Sequence, residues 1–488
     1  MIKHYIQLTN TIFYWIYQSI MENIDDALMR IGVGRFHYVL LLILGSHFGL
    51  VGAQVVSVSL LNQILKCYWK LSDGEVFIFT SFAFFGMGIG SLIMGYMGDK
   101  YGRKTTLIVT DCALIYCKLM SAISPTFYWI TIMEFMNGIA LAGLTVSTFP
   151  LMSECSSLKY RGTFMVIFQC FIGLGSFCVS FVSWLVLSSL GWRILLIIST
   201  IPIIILLFSL YFVPQSPKYL LLQNEKHKSL KIINYIARSN NAELVVDLYQ
   251  SEPIKSSYLD LINRKILPIT IFASFISFCG TLSIYVMVLL IPVISSIPHR
   301  CLQNPKMYSQ VTILNGSKVF DNSCCYNLLW KNYENMFVSA SATILIVPLS
   351  VLFVNWFGRK KSFAINLTVM GITVFCLNFC INSIWINVLL FINRGFGAAF
   401  ITLNSLYATE FYPTSIRCLG IGVINVNARI GQALSPIIFI IILKFSFLAG
   451  NLILMILSLA ASVVSYFLIE TKDRPLMENV ENSKLSNK

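Results

Sequence analysis

The sequence predicts an all-α polytopic membrane protein, and three observations predict it. The first is composition. Of 488 residues, 57% are hydrophobic and 11% charged, against roughly 25% charged in a typical soluble domain. That is too little charge to cover a water-facing globule, which excludes a soluble enzyme, a disordered tail, a coiled coil and a secreted disulfide scaffold. The second is the recurrence of apolar runs of about 20 residues, the length of helix that crosses a bilayer. The third is the placement of basic residues in the short segments between alternate runs.

About twelve runs have spanning length. In order they cover 37–60, 75–97, 105–123, 127–152, 163–188, 192–213, 266–294, 336–356, 362–382, 384–408, 418–444 and 446–469. Before the first run, the stretch Ile12–Ile20 is short and aromatic and is followed by acidic Glu22–Asp26, unlike a signal peptide. Alternating the connections puts Lys100, Arg103, Lys104, Lys159, Arg161, Arg359, Lys360, Lys361 and Arg417 on one side, together with both termini. The positive-inside rule makes that side cytosolic. The net charge of +14 then suits an anionic lipid surface rather than nucleic acid.

Two connections are long. The polar one near 214–265, with helical stretches such as Lys228–Arg238, separates two six-span halves. The expected organisation is a cytosolic segment 1–36, a bundle 37–213, the linker 214–265, a second bundle 266–469 and a tail 470–488. The second long connection, 296–335, falls on the non-cytosolic side.

The halves repeat. Tyr101-Gly102-Arg103-Lys104 returns as Phe357-Gly358-Arg359-Lys360, Glu154 as Glu410, and Arg161 as Arg417. All lie about 256 positions apart, as one unit occurring twice requires. Glycine permits a tight turn between helices. The adjacent Arg and Lys can bond the last carbonyls of one helix and the carboxylate ending another. Asp99, Gly102, Arg103, Glu154, Arg161, Gly358, Arg359, Glu410 and Arg417 are therefore the expected gating residues. The bland alternative is that they only anchor the chain to the membrane surface.

These motifs resemble the major facilitator superfamily. Met97-Gly98-Asp99-Lys100-Tyr101-Gly102-Arg103-Lys104 is similar to its signature loop, and Pro214-Gln215-Ser216-Pro217-Lys218 to the element after the sixth span of sugar and organic-ion porters. Ile469-Glu470-Thr471-Lys472, Leu190-Gly191-Trp192-Arg193, Ile31-Gly32-Val33-Gly34-Arg35-Phe36, the run Tyr407–Gly420 and Asn427-Ala428-Arg429-Ile430-Gly431 narrow the resemblance to the synaptic vesicle 2-related branch. It covers about 26–475. It implies two six-helix bundles around a central cavity, alternating access and a small organic ion as cargo. Departures are informative. The stretch Gly49–Gln54 lacks the acids that relatives often carry there, Glu134 stands where an Arg is usual, and Asn355 and Gln215 replace acids. The resemblance then implies a weaker gate in the C-terminal half and removes the usual proton carriers.

Charge at bilayer depth is costly and marks sites where partners are needed. Lys118 and Glu134 lie at similar depths on antiparallel spans, which predicts a buried pair, the alternative being separate snorkelling to the interface. Asp111, two turns below Lys118, could compete for it. Arg429 sits in a polar stripe with Asn425, Asn427 and Gly431. Arg429 and Arg394 suit carboxylate or sulfate, which Arg binds through paired hydrogen bonds. By the resemblance, an Arg in this span favours an organic anion or zwitterion. The alternative is an Arg tied to helix carbonyls. His47, Gln54, Gln169, Tyr285, Asn404 and Tyr407 complete the candidate cavity lining, with helix–helix hydrogen bonding as the alternative for each.

Of thirteen Cys, Cys67, Cys301, Cys324 and Cys325 fall on the non-cytosolic side, where disulfides are permitted in any of three connectivities. Asn315-Gly316-Ser317 is a glycosylation sequon on that side. No Cys/His cluster has zinc spacing, and no nucleotide, dinucleotide, HExxH or GxSxG motif occurs. An enzyme, a metal site and a cofactor are thus not expected. The expected partners are a small organic substrate and lipid, with function as a monomer in a plasma or vesicle membrane. A non-transporting protein whose cavity serves ligand binding or trafficking is the other open reading.

Overall fold

The computed structural model describes residues 21–187, 189–245, 247–249, 266–296, 310–314, 317–321, 330–379, 382–412, 417–444 and 446–472. The long helices are numbered here by span. They are α1 (Arg35–Tyr68), α2 (Asp73–Tyr101), α3 (Arg103–Ala122), α4 (Phe127–Glu154), α5 (Arg161–Leu187) and α6 (Gly191–Phe212) in the first half. In the second they are α7 (Leu267–Ser296), α8 and α9 within Trp330–Cys376, α10 (Ser383–Phe411), α11 (Arg417–Lys444) and α12 (Phe447–Ser465). Gly358, at φ 79° and ψ 175°, breaks the run Trp330–Cys376 and separates α8 (330–357) from α9 (359–376).

Local chemistry explains the helix starts. Ser72 and Glu75 form a reciprocal cap on α2, with Ser72 N–H donating to Glu75 Oε2 at 2.7 Å. Thr126 and Ser446 cap α4 and α12 by accepting from Trp129 N–H and Ala449 N–H. Several helices run past the expected spans. α1 continues to Tyr68, α10 to Phe411, and α8 starts at Trp330. An amphipathic turn that leaves the lipid still satisfies its backbone as helix, so hydropathy alone ends a span too early.

Ten helices among the described residues are long and apolar enough to cross a membrane. The other two are α9, which opens on Arg359, Lys360 and Lys361, and α11, whose Asn425, Asn427, Arg429 and Gln432 lower its hydropathy. Large apolar side chains such as Phe208 and Tyr211 cover the outside of the bundle, as lipid contact requires.

Packing repeats every six spans. α1 packs on α5 and α7 on α11; α2 packs on α4 and α8 on α10; α3 packs on α6 and α9 on α12. The α1–α5 contact is close because Gly49 and Gly175 face each other, and a Cβ on Gly175 would strike the Gly49 carbonyl. The halves meet through α5 against α8 and α2 against α11. Away from the basic loops they are sealed. There Val56, Leu60 and Val179 pack with Val286, Met287, Leu290 and Ile291, and Ser59 Oγ donates to the Val288 carbonyl at 3.1 Å.

On the basic face, the helix Ile24–Ile31 buries Ile24, Ala27, Leu28 and Ile31 under the first half. The linker helix Lys226–Ser239 joins the same cluster through Ile233, Ile236 and Ala237. Asn240 fastens it to α1, accepting from Phe36 N–H at 3.2 Å. The described part of the linker therefore belongs with the first half. The described residues include two small sheets: β1 (Met21–Asn23) parallel to β2 (Asp247–Tyr249), and the hairpin of β3 (Gln310–Leu314) with β4 (Ser317–Asp321).

Candidate functional site

Arg394, Tyr285, Ser176 and Phe84 come from four helices, yet each lies eleven residues from the end of its helix opposite the basic face. At 1.5 Å per residue all four sit about 16 Å deep, near the midplane of a ~30 Å hydrocarbon core. They converge between the halves. Arg394 Nη2 donates to Ser176 Oγ at 3.3 Å, from α10 to α5. Arg429 Nη2 donates to Thr145 Oγ1 at 3.3 Å, from α11 to α4, and its Nη1 to Gln432 Oε1 at 2.9 Å. Tyr285 of α7 lies within electrostatic reach of both arginines and meets Phe84 of α2 edge-on, with ring centroids 5.2 Å apart.

The electrostatics of this place are one-sided. Every hydrogen bond described for the two guanidinium groups ends on a neutral oxygen. Among the described residues neither has a carboxylate within ion-pair distance. A charge at bilayer depth costs about 3 kcal/mol on insertion scales, and hydroxyl and amide contacts solvate it without cancelling it. The arrangement can thus hold an anion, and an Arg offers two parallel N–H groups to a carboxylate or sulfate. Arg394 also lines a cavity with Val56, Ser59, Ser180, Val288 and Met336 from both halves.

Other candidates from the sequence lie elsewhere. Asn404 donates to Ser277 Oγ at 3.1 Å, and Ser277 Oγ to the Ile424 carbonyl, so Asn404 ties α10, α7 and α11 together. Tyr407 is 1% exposed and stacks on Phe411 in the core of the second half. Gln169 is buried on α5, seven residues from Ser176 toward the basic face.

Lys118 and Glu134 do not form a direct salt bridge, which corrects the expected pair. Gln54 sits between them: Lys118 Nζ donates to its Oε1 at 2.6 Å, and its Nε2 donates to Glu134 Oε2 at 2.8 Å. Asp111 does not compete for Lys118. It accepts His47 Nε2–H at 3.0 Å, with both side chains fully buried, while His47 Nδ1 lies 2.9 Å from the Ile43 carbonyl. Sequence depth was right, but helix rotation turned α1 polar groups toward α3 and α4. His47 and Gln54 therefore face the interior of the first half.

At the basic face, Arg103 Nη2 contacts Asp99 Oδ1 at 2.7 Å and its Nε lies 3.6 Å from Glu154 Oε1. Arg161 bonds the Ser153 carbonyl and Asp25, which also takes Lys218 at 2.6 Å. In the second half Arg359 grips Glu410 with two bonds, 2.9 and 2.6 Å, and Thr471 Oγ1 donates to the same carboxylate. That pairing is shorter than the contacts of Arg103 and doubly bonded. The side chains of Asn355 and Arg417, and Cys301, Cys324, Cys325 and Asn315, lie outside the described residues. Cys67 lies in the last turn of α1.

Gly102 (φ 91°) and Gly358 (φ 79°) both occupy conformations that side chains rarely adopt. Beside each sits a polar cap. Gln215 Oε1 accepts Lys104 N–H at 3.0 Å. Glu470 accepts Arg359 N–H at 2.8 Å, Lys360 N–H at 3.2 Å and Lys472 N–H at 3.2 Å. Burial pulls the Glu470 pKa up, but those three N–H groups and the Arg359 charge outweigh it, holding the carboxyl below its ordinary range. Sequence reasoning missed Ser176, Thr145, Gln432 and Phe84. Only Gln432, one turn from Arg429, was accessible from spacing.

Comparison with known proteins matches residues 36–482 to the family described as Sugar (and other) transporter. SVOPL of Mus musculus is 27% identical over 93% of both chains. The synaptic vesicle 2-related protein of Xenopus laevis is 27% identical over 93% of this chain and 82% of that one. Among solved structures, the inward-open xylose transporter XylE from E. coli superimposes with a TM-score of 0.67 at 16% identity, covering 90% of this chain and 98% of that one, a likeness of fold. The chain belongs to the sugar (and other) transporter family and has the twelve-span fold of the major facilitator superfamily, that of an integral membrane transporter of small substrates rather than an enzyme.

Proposed function

We propose that this chain carries an organic anion across its membrane by alternating access, with Arg394, Arg429 and Tyr285 as the binding site. One observation carries the reading. Two half-buried guanidinium groups stand at the meeting of the halves, and among the described residues their hydrogen bonds end only on neutral oxygens. A substrate carboxylate or sulfate is the counter-charge that such a site lacks. Each Arg comes from the second half and touches a hydroxyl of the first, so an anion bound there holds both halves. The repeated basic-face pairs then act as gates that release as the halves rock, with both termini cytosolic and 214–265 as the linker between bundles.

Purified protein in liposomes, offered radiolabelled carboxylates and sulfates, tests this. Uptake of at least one anion is expected, with Arg429→Ala and Arg394→Ala each lowering it at least tenfold. Arg429→Lys should restore part of it by returning charge without the paired donors. Anion uptake unchanged in both alanine variants would refute the assignment.

A further inference from the structure

The two central arginines stand at different depths. Arg394 lies eleven residues from the end of α10 opposite the basic face, and Arg429 fifteen from the corresponding end of α11. Gly88 is also fifteen residues from that end of α2, and a Cβ on it would lie 3.9 Å from Arg429 Cβ. Two helices therefore agree on the depth of the Arg429 stem, about 22 Å, against about 16 Å for Arg394. The heads diverge further. Arg394 reaches Ser176, eleven residues from the end of α5, whereas Arg429 reaches Thr145, eighteen residues from the end of α4. The guanidinium groups are thus staggered by about 6–10 Å along the axis of the bundle.

Between the two levels the wall is aromatic. Phe84 is one turn from Gly88 on the same face of α2, and its ring meets Tyr285 edge-on at the Arg394 level. The polar groups around the pair are neutral. Ser59, Ser180 and Ser339 share a cavity wall with Arg394, while Thr145 and Gln432 bond Arg429. Ser339 Oγ is buried without a hydrogen-bond partner among the described residues, so a hydroxyl donor stands unused beside Arg394. Acids of the first half are engaged elsewhere: Glu134 of α4 accepts from Gln54 and Asn137, and Asp111 of α3 holds His47. A single negative charge bound here leaves one guanidinium uncompensated at bilayer depth, where charge is costly. Two negative charges held a fixed distance apart compensate both.

We infer that the cargo is a dianion that spans the two levels. One carboxylate, sulfate or sulfonate sits at Arg394 and Ser339, the other at Arg429, and an apolar linker crosses Phe84 and Tyr285. Each charged end takes the paired donors of one guanidinium, and the linker packs on the aromatic wall. The inference rests on the anion-transport reading and narrows its substrate class.

Uptake by purified protein in liposomes tests this, with glutarate, adipate and pimelate set against the monocarboxylates of equal carbon number, valerate, hexanoate and heptanoate. All these carboxyls are ionised at neutral pH, so each pair differs by one charge. At least one dicarboxylate should be taken up about ten- to a hundredfold better than its monocarboxylate, the effect of one further charge-assisted contact. Arg394→Gln and Arg429→Gln should each bring that ratio close to one. Should either variant not fold, the wild-type ratio decides, together with stronger protection of the wild type against thermal unfolding by the dicarboxylate. Equal or better uptake of the monocarboxylate in every pair, or a ratio unchanged in both folded variants, overturns the dianion and leaves the anion reading standing. Uptake of no anion at all overturns both.

Discussion

In the first half the loop after α2 is closed by Gln215, Arg103 and an Asp99 that is 70% exposed. In the second half the loop after α8 is closed by Glu470, Arg359 and a Glu410 that is only 20% exposed. Backbone geometry is shared: both loops turn on a glycine of positive φ. Charge is distributed differently. Arg103 divides itself between two carboxylates, and Glu154 Oε2 is left buried without a partner. Arg359 gives both bonds to one carboxylate, which Thr471 also supports. The first half adds an outside brace, since Asp25 of the helix Ile24–Ile31 holds Arg161 and Lys218. One repeat thus closes internally and the other borrows a helix that the repeat does not include.

The largest expected break in this comparison is Arg359→Ala. It strips both bonds from a mostly buried carboxylate and should cost about 2–4 kcal/mol. Arg103→Ala should cost about 1 kcal/mol, since its closer partner is solvated. Thermal unfolding of the two variants in detergent checks this, and equal losses would dissolve the contrast. Next come the glycines. Gly358→Ala and Gly102→Ala should each cost about 1–3 kcal/mol from backbone strain. Gly358→Ala should be the worse of the two, because the new methyl displaces the Glu470 carboxylate and with it three capping bonds.

The smallest effects come from exchanging the caps. Glu470→Gln should lose about 0.5–1 kcal/mol and Gln215→Glu gain a similar amount, as a negative charge at a helix N-terminus is favourable. Because the Glu470 pKa is lowered in the folded protein, its contribution is full above the ordinary carboxylate pKa and is lost as pH falls through the lowered one. Stability profiles measured down through the acidic range should show this loss in wild type, less of it in Glu470→Gln, and more of it in Gln215→Glu.

Much of the basic face was legible because a repeat leaves an offset: the sequence itself pairs Gly102 with Gly358 and Glu154 with Glu410. The depth of Lys118 and Glu134 was legible too, because rise per residue is constant along a helix. Their partners were not. Depth leaves rotation about the helix axis open, and rotation decided that Gln54 lies between them and that His47 takes Asp111. The same limit hid Ser176 and Thr145, ordinary polar residues in apolar spans until α10 and α11 bring an arginine against each.

Composition, run length and charge asymmetry alone determined that this chain spans a membrane many times, because lipid penalises every uncovered charge and every unpaired backbone group. The internal offset alone determined that it is built twice. Which intramembrane charges meet an opposite charge, and which meet only neutral oxygens among the described residues, was decided only by tertiary structure. Pairing depends on a few ångströms of approach between side chains from different helices, and helix packing sets that distance.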